Sequence, residues 1–260
     1  MNPIDLSTVL LAEDPEPIYL VDNLYYQGQL IVMAGEEGVG KSFLQYNLAI
    51  SIAAGIPFLG LTVKQGRVLY FDEENSRPDL QQYLRQIWRG CGKPLIAQLQ
   101  ENIFIEHFSL AEHGKKRFDY MAEVARRVQP ALIIIDTATP CCGIEDENSN
   151  GEASKAIRAL RRVKGDATMI ILKHVLFSHD QTKRQTIRGA KSWLGESDGN
   201  IYHKLAPGKP RSDGLRNCKL VPDKFRAYGL RTELIIQPTW CGEDGHKGIV
   251  LTSRTDKPGN

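Results

Sequence analysis

A glycine-rich stretch of the form G-x-x-x-x-G-K-S carries the most recognisable chemistry in this sequence. An apolar run precedes it and an amphipathic run follows, which is the order strand, loop, helix. Its glycines let the backbone fold into a nest of N–H groups that, with the N-terminus of the next helix, surrounds a polyphosphate. We therefore predict a nucleotide-binding loop that consists of Gly35, Glu36, Glu37, Gly38, Val39, Gly40, Lys41, Ser42 and Phe43.

Two side chains of this loop are of the types that phosphate chemistry requires. Lys41 places a positive charge at the β- and γ-phosphates, and the Ser42 hydroxyl can ligate Mg²⁺. The predicted cofactors are therefore ATP and Mg²⁺. Glu36 and Glu37 are unusual in such a loop, because their carboxylates repel a triphosphate unless they point into solvent. The alternative interpretation is a glycine-rich turn between a strand and a helix with a chance lysine.

Acidic residues at the ends of two apolar runs supply the remaining chemistry. Asp136 ends the run 131–136, where P-loop proteins keep the acid that holds Mg²⁺, directly or through water, across from Ser42. Hydrolysis also needs a base that polarises the attacking water. Asp72, Glu73 and Glu74 end the other run and are the candidates. The alternative for all of these acids is that they cap a loop or the following helix.

Apolar periodicity indicates that strands and helices alternate up to about residue 200. The near-continuous apolar runs are typical of strands in a parallel sheet that helices cover on both faces. Short strands are then predicted at 201–205, 218–221, 234–237 and 249–251. We expect an α/β fold with a central, mostly parallel sheet flanked by helices and a C-terminal antiparallel extension. An N-terminal arm and lead-in segment (1–29) precede the nucleotide-binding domain (30–260).

Bulk composition limits the class of protein without identifying it. The 260 residues suit one large domain, and a net charge of +2, from 33 basic and 31 acidic side chains, indicates no polyanionic partner by itself. The five cysteines form no C-x-x-C pair, which suits a reducing cytoplasm and argues against a structural metal. The sequence has no basic n-region and no apolar run of ~20 residues, so we predict a cytoplasmic protein without a membrane segment.

These motifs together resemble the RecA-like ATPase fold of P-loop NTPases. The resemblance rests on residues 35–42, residues 68–75, the strand that ends at Asp136 and the triplet 188–190. Within that fold, the acidic loop 143–151 and the segment 19–24 are similar to the RepA type of plasmid replicative helicase, a single-domain hexameric motor. The similarity covers roughly residues 5–240. It implies a DNA-replication ATPase that assembles as a homohexameric ring and binds single-stranded DNA.

The resemblance also implies roles for individual residues. The catalytic glutamate of the family falls on Glu74, and its γ-phosphate sensor falls on His174. A structural alternative for His174 is a hydrogen bond to a neighbouring loop. Hexameric helicases carry a K-x-R pair that reaches the γ-phosphate in the next subunit, and this pair corresponds to Lys224 and Arg226. Other candidates for the same role are Lys204, Lys209 and Arg211.

A basic segment between residues 173 and 191 is the predicted DNA site. It contains Lys183, Arg184 and Arg188, with Asp180 as its single acid. In RecA-like proteins the loop at this place binds single-stranded DNA in the central channel, by contacts to phosphates. Since no aromatic residue lies between Lys183 and Arg188, sequence preference should be weak. The alternatives are an ordinary solvated loop and, for Arg188, a bracing contact at Gly189.

Three functions remain open from the residues. The first is a helicase-type ring motor that moves on a single strand. The second is a recombination or loader ATPase that never unwinds duplex DNA. The third is an interaction module in which bound ATP only fixes the oligomeric state. Glu74 argues against the third, because a pure switch needs no acid that positions water.

Overall fold

The computed structural model of the protein describes residues 10, 17–176, 186–187, 191–208, 211–226, 229–243 and 247–255. The strands are β1 (Tyr19–Val21), β2 (Tyr25–Tyr26), β3 (Leu30–Gly35), β4 (Val68–Asp72), β5 (Ile103–His107), β6 (Leu132–Asp136), β7 (Thr168–Leu176), β8 (Thr186–Ile187), β9 (Gly199–Leu205), β10 (Cys218–Phe225), β11 (Leu234–Cys241) and β12 (Gly248–Thr255). The helices are α1 (Lys41–Ala54), α2 (Arg77–Gly90), α3 (Ile96–Asn102), α4 (Arg117–Val128), α5 (Ala138–Cys142), α6 (Asn150–Lys164) and α7 (Ser192–Glu196), and a 3₁₀ turn covers Ala111–Lys116.

One large sheet organises the described residues. Its strand order is β12-β11-β10-β9-β3-β7-β6-β4-β5, and β8 pairs with β7. The strands from β9 to β5 are parallel to one another, whereas β10, β11 and β12 continue the sheet in antiparallel pairing. The predicted α/β fold, with a mostly parallel sheet and a C-terminal antiparallel extension, is therefore confirmed.

Strand register brings the ends of four strands to one edge of the sheet. Gly35 at the end of β3 is level with His174 on β7. Asp72 at the end of β4 is level with Asp136 at the end of β6. Ligands of parallel α/β sheets bind at the carboxyl ends of the strands. The residues singled out for chemistry therefore share this carboxyl edge.

Helices cover both faces of the sheet and explain the apolar strand sequences. One core cluster joins α1 and α2 to one face, and a second joins α4 and α6 to the other. Every residue of β3, β4 and β6 is buried. A side chain pointing to either face is thus removed from water, which stabilises the fold by about 1.5–3 kcal/mol for each large aliphatic residue.

Several elements differ from the sequence-based expectation. The short helices α3, α5 and α7 were not predicted, because five to seven residues are too few to show helical periodicity. Strands β10, β11 and β12 are eight residues long, since polar side chains on their exposed faces hid their full extent. Residues 1–9 and 11–16 of the predicted arm lie outside the described part of the chain, and the domain boundary at residue 30 stays a prediction.

The segment 18–29 packs against α1 and the large sheet rather than standing apart. It forms the hairpin of β1 and β2, and Leu20, Val21, Leu24 and Tyr25 belong to the same core cluster as α1. Among the described helices, none has the length and apolarity that crossing a membrane requires.

Candidate active site at the carboxyl edge of the sheet

The glycines of the loop between β3 and α1 meet specific backbone demands. Gly38 and Gly40 have φ angles of 73° and 90°, in the left-handed region that side chains other than glycine rarely adopt. A Cβ atom on Gly35 would lie 2.5 Å from the carbonyl oxygen of His203 on β9. The loop can therefore keep this shape only with glycine at all three positions.

Lys41, the first residue of α1, is buried against the loop it follows. Its Nζ donates hydrogen bonds to the carbonyl oxygens of Gly35 (3.0 Å) and Glu36 (2.8 Å). Burial lowers the pKa of its ammonium group, and the neighbouring carboxylates, Glu74 foremost, oppose that shift. Glu37 is exposed and Glu36 is half-buried, so at least the Glu37 carboxylate lies in solvent as an anion-binding loop requires.

A chain of hydrogen bonds links Lys41, His174 and Glu74. The Nζ of Lys41 lies 3.4 Å from Nδ1 of His174, and Nε2 of His174 lies 3.1 Å from Oε1 of Glu74. An ammonium group can only donate, so Nδ1 accepts and Nε2 carries the proton that is donated to Glu74. The hydrogen bond from His174 lowers the pKa of Glu74 and outweighs the opposing effect of partial burial. Glu74 is therefore held ionised at the loop that binds phosphate.

The three acids at the end of β4 have different environments. Asp72 is fully buried, and its Oδ2 accepts a hydrogen bond from the Tyr46 hydroxyl at 2.5 Å. Glu73 is buried, and its Oε1 accepts from the backbone N–H of Leu110 at 2.8 Å. The Glu74 side chain is 37% exposed and faces His174. Of the three, Glu74 is the carboxylate that water can reach.

Asp136 ends β6 in a fully buried position close to Ser42. Its Oδ2 accepts hydrogen bonds from the hydroxyl of Tyr70 (2.7 Å) and the amide of Asn75 (3.2 Å). Its Oδ1 meets no partner in hydrogen-bond geometry among the described residues, although the nearby Ser42 hydroxyl lowers the carboxyl pKa. Burial is the larger effect and raises that pKa to about 7.

These oxygens fit a magnesium ion. Mg²⁺ prefers one or two protein oxygens beside water and phosphate oxygens. The unpaired Oδ1 of Asp136 and the Ser42 hydroxyl are two such donors on neighbouring elements. A buried carboxylate oxygen without a partner is costly, and a bound cation removes that cost.

A cavity of about 400 Å³ lies next to the phosphate-binding loop. One wall comes from the loop and α1, including Val39 and Phe43, and the opposite wall comes from β9, β11 and β12. His203 borders it, and burial lowers the pKa of this imidazole to about 3, so the ring is neutral. The walls are mainly apolar, with Arg216 as a charged member of the lining.

The predicted pair Lys224 and Arg226 lies elsewhere. Lys224 pairs with Asn200, near the start of β9, so both residues are at the amino edge of the parallel strands. Nζ of Lys224 donates to the carbonyls of Leu194, Gly195 and Ser197, at 3.0–3.3 Å. Arg226 is exposed and donates to the Gly195 carbonyl at 3.0 Å. The two side chains do point the same way, towards the end of α7 in their own chain.

Two of the other candidates for the cation that reaches the next subunit also have partners within the chain. The ammonium of Lys204 lies over the Tyr202 ring, 4.9 Å from its centre. Arg211 pairs with Asp213 at 2.7 Å. The remaining candidate and the DNA-site residues lie outside the described residues, and they are Lys209, Lys183, Arg184 and Arg188.

Four residues of this site were missed in the sequence. Tyr46, Tyr70 and Asn75 contact the two buried aspartates, and His203 covers Gly35. Tyrosine in an apolar helix or strand is usually a core residue, so nothing in the pattern separated Tyr46 and Tyr70 from the core. Asn75 gave the one available signal, since it directly follows the acids at the end of β4.

Comparison with known proteins agrees with this geometry at the level of family. The AAA domain family matches residues 4–177, which is more than half of the chain and contains the loop, both strand-end aspartates and His174. No curated protein matches the chain significantly. The chain therefore belongs to the AAA domain family and is a P-loop ATPase.

Proposed function

We propose that this ATPase is a subunit of a ring motor that moves on single-stranded DNA, as in replicative helicases of the RepA type. The observation that carries the proposal is the chain of contacts from Lys41 through His174 to Glu74. It joins a phosphate-binding ammonium to an ionised, water-accessible carboxylate. A protein that only binds nucleotide needs no such carboxylate.

The described residues support a division of labour in hydrolysis. The phosphates would lie in the loop around Gly38 and Gly40, and the nucleoside in the adjoining cavity. Lys41 would exchange its bonds to two carbonyl oxygens for bonds to the β- and γ-phosphates. Ser42 and Asp136 would hold Mg²⁺, which offsets the negative charge of the phosphates. Glu74 would accept a proton from water as the water attacks the γ-phosphorus, giving ADP and phosphate.

His174 would report the state of the nucleotide. When phosphate draws Lys41 away, Nδ1 of His174 loses its donor while Nε2 keeps Glu74. His174 lies on β7, and β8 pairs antiparallel with the end of β7, so the chain that leaves His174 returns to it. The basic residues Lys183 and Arg184 lie between these two strands in the sequence. The chain that carries the proposed DNA contacts would thus be the direct continuation of the strand that carries the γ-phosphate sensor.

ATP turnover measured with and without an unstructured single strand tests the motor. We expect stimulation by the strand and displacement of one strand from a forked duplex. Stimulation without displacement favours the recombination or loader alternative. ATP binding without turnover favours the interaction module. Particle size with a non-hydrolysable ATP analogue adds a second criterion, because a closed ring supports the motor and a filament supports recombination.

Binding to single strands tests the DNA site separately. Replacing Lys183 and Arg184 by alanine should weaken binding similarly for all sequences and flatten its salt dependence by about one unit of slope per lost contact. Lys155→Ala combined with Arg158→Ala, at two exposed positions of α6, is a control of equal charge change. An unchanged salt slope would return the segment to an ordinary solvated loop.

A further inference from the structure

Two carboxylates stand side by side at the carboxyl edge, and each is anchored by its own tyrosine. Asp72 and Asp136 are register partners on β4 and β6, and both are fully buried. Tyr46 donates to Oδ2 of Asp72 at 2.5 Å, and Tyr70 donates to Oδ2 of Asp136 at 2.7 Å. In each pair the phenol donates to Oδ2 of the carboxylate, so Oδ1 can bind another group.

The two phenols form a single rigid unit. The rings of Tyr46 and Tyr70 are stacked, with centres 4.1 Å apart and planes inclined by 3°. Tyr46 comes from α1, five residues after Lys41, and Tyr70 comes from β4, two residues before Asp72. Both rings are fully buried, so packing fixes the direction of each hydroxyl. The helix that begins at the phosphate loop is thus tied directly to the strand ends.

Asn75 joins the two carboxylates on the same side. Its Nδ2 lies 3.1 Å from both oxygens of Asp72 and 3.2 Å from Oδ2 of Asp136. The amide therefore shares its donors between the neighbours and offsets part of their mutual repulsion. Without these donors, two buried carboxylates at adjacent strand ends would be costly.

The second oxygen of each carboxylate, Oδ1, has different surroundings in Asp72 and in Asp136. Oδ1 of Asp72 accepts from the backbone N–H groups of Glu74 (3.1 Å) and Asn75 (2.9 Å), which fixes the turn that presents the Glu74 side chain. Oδ1 of Asp136 is left without a hydrogen-bond partner in the described structure, beside Ser42. One anchored aspartate thus shapes the loop of the predicted base, and the other presents an oxygen where Mg²⁺ would bind.

We propose that Tyr46 and Tyr70 are a pair of positioning residues with separable effects. Tyr70 orients Asp136 for the metal ion, and Tyr46 orients Asp72 and through it the turn that carries Glu74. Asn75 couples the two halves. This inference rests on the proposed roles of Asp136 and Glu74, and its test separates the two hydroxyls by removing one at a time.

The experiment compares Tyr70→Phe with Tyr46→Phe, each of which keeps the stacked ring and removes one hydroxyl. Equilibrium binding of a fluorescent ATP analogue is measured over a Mg²⁺ titration, and single-turnover hydrolysis is measured at saturating Mg²⁺ and ATP. Tyr70→Phe should need roughly tenfold more Mg²⁺ for half-maximal binding and should keep most of its turnover when saturated. Tyr46→Phe should bind with the Mg²⁺ requirement of the wild type and turn over roughly tenfold more slowly.

Tyr25→Phe is the matched control, because Tyr25 is a fully buried tyrosine that makes no hydrogen bond to either aspartate. It should change neither measurement. Asn75→Ala should change both, since Asn75 contacts both carboxylates. If the two phenylalanine variants shift the same measurement, or neither shifts any, the division between the tyrosines is refuted. If the wild type binds the analogue with Mg²⁺ but does not hydrolyse ATP, the proposed function fails while the Tyr70 result still stands.

Discussion

Charged residues at the two edges of the parallel sheet have different kinds of hydrogen-bond partner. At the carboxyl edge, Lys41, His174 and Glu74 contact one another and face the loop that binds phosphate. At the amino edge, Lys224 and Arg226 are bound to backbone carbonyls at the end of α7. Charged groups at the first edge are arranged around a place for a ligand. At the second edge, the charged groups already donate hydrogen bonds to backbone carbonyls of the same chain.

Lys224 and Arg226 differ in how fully these carbonyls satisfy their hydrogen-bond donors. Three carbonyl oxygens surround the ammonium of Lys224, and partial burial of the side chain lowers its pKa. Among the described residues, the Arg226 side chain has one acceptor, the Gly195 carbonyl, for a guanidinium that can donate five hydrogens, and this side chain is exposed. Arg226 is therefore the member of the pair that a neighbouring subunit could engage, whereas Lys224 serves its own fold.

Arg226→Ala gives the largest expected effect. A cation supplied by a neighbour stabilises the charge that develops during phosphoryl transfer, so the change should lower turnover by ~10³-fold while ATP binding and folding persist. Turnover and nucleotide affinity, measured on the same preparation, check this.

Mixing Arg226→Ala with Glu74→Gln sharpens the test. Each variant should be nearly inactive alone, but in the proposed ring a mixture would contain interfaces in which Glu74 of one subunit meets Arg226 of the next, so some activity should return. If subunits demonstrably exchange and none returns, Arg226 acts only within its own chain, and the trans cation is one of Lys204, Lys209 and Arg211.

Changes at the carboxyl edge should separate binding from chemistry. Lys41→Ala removes a ground-state contact to phosphate, so ATP affinity should fall. Glu74→Gln keeps the size of the side chain and removes the proton acceptor, so ATP should still bind while turnover falls at least ~100-fold. Isothermal titration with an ATP analogue and steady-state turnover measure the two effects. Wild-type turnover in Glu74→Gln would assign the base to another group, and since Asp72 and Glu73 are buried and hydrogen-bonded, it would refute the mechanism as a whole.

The sequence predicted the ends of β4 and β6 because a local pattern encodes them. An apolar run ending in an acid marks where a buried strand stops, and β4 and β6 do end at Asp72 and Asp136, whereas His174 was singled out only by the resemblance. The partners of these residues could not be predicted. Tyr46 reaches Asp72 across 26 positions and Tyr70 reaches Asp136 across 66, and such contacts depend on strand order and register rather than on spacing.

The amino edge shows the converse limit. Residues two apart on an extended segment point the same way, and both side chains of this K-x-R tripeptide do contact the Gly195 carbonyl. It carried no information about the carbonyls of α7, a five-residue helix too short to appear in the sequence pattern. Whether a basic residue stabilises its own chain or serves a neighbour depends on such partners.

His174 connects to Glu74 by one hydrogen bond, and removing it should have an intermediate effect. In His174→Ala the pKa of Glu74 should rise, because its main stabilising donor is lost. The base is then protonated at a higher pH, so the acid limb of the turnover profile should move to higher pH, with a loss of roughly tenfold at a given pH on that limb, as expected for one hydrogen bond to an ionised group.

Turnover measured from about pH 4 to pH 8 checks this shift, a range that spans the ordinary titration of carboxylates and imidazole. His174→Gln is the conservative control, since its amide can still donate to Glu74 and should keep the acid limb near its wild-type position. An acid limb that does not move in His174→Ala would show that His174 leaves the charge of Glu74 unaffected.

Lys224→Met gives the smallest expected effect and tests the amino edge directly. The change keeps the length of the side chain and removes a donor from the carbonyls of Leu194, Gly195 and Ser197. These lie where α7 ends, at carbonyls that lack helical partners and favour a positive charge. We expect a loss of about 1–2 kcal/mol in the free energy of unfolding, measured by urea denaturation, with ATP turnover unchanged.

Lys219→Met on the same strand is the matched control for Lys224→Met. Its ammonium pairs with Glu233 at 2.9 Å near the surface, and a surface ion pair contributes only about 0–1 kcal/mol. Lys224→Met should therefore be the less stable of the two variants. If Lys224→Met instead keeps the stability of the wild type and loses turnover, its ammonium acts at the γ-phosphate of a neighbouring subunit. Lys224 and Arg226 would then not differ in role, because both residues of the amino edge would serve the active site.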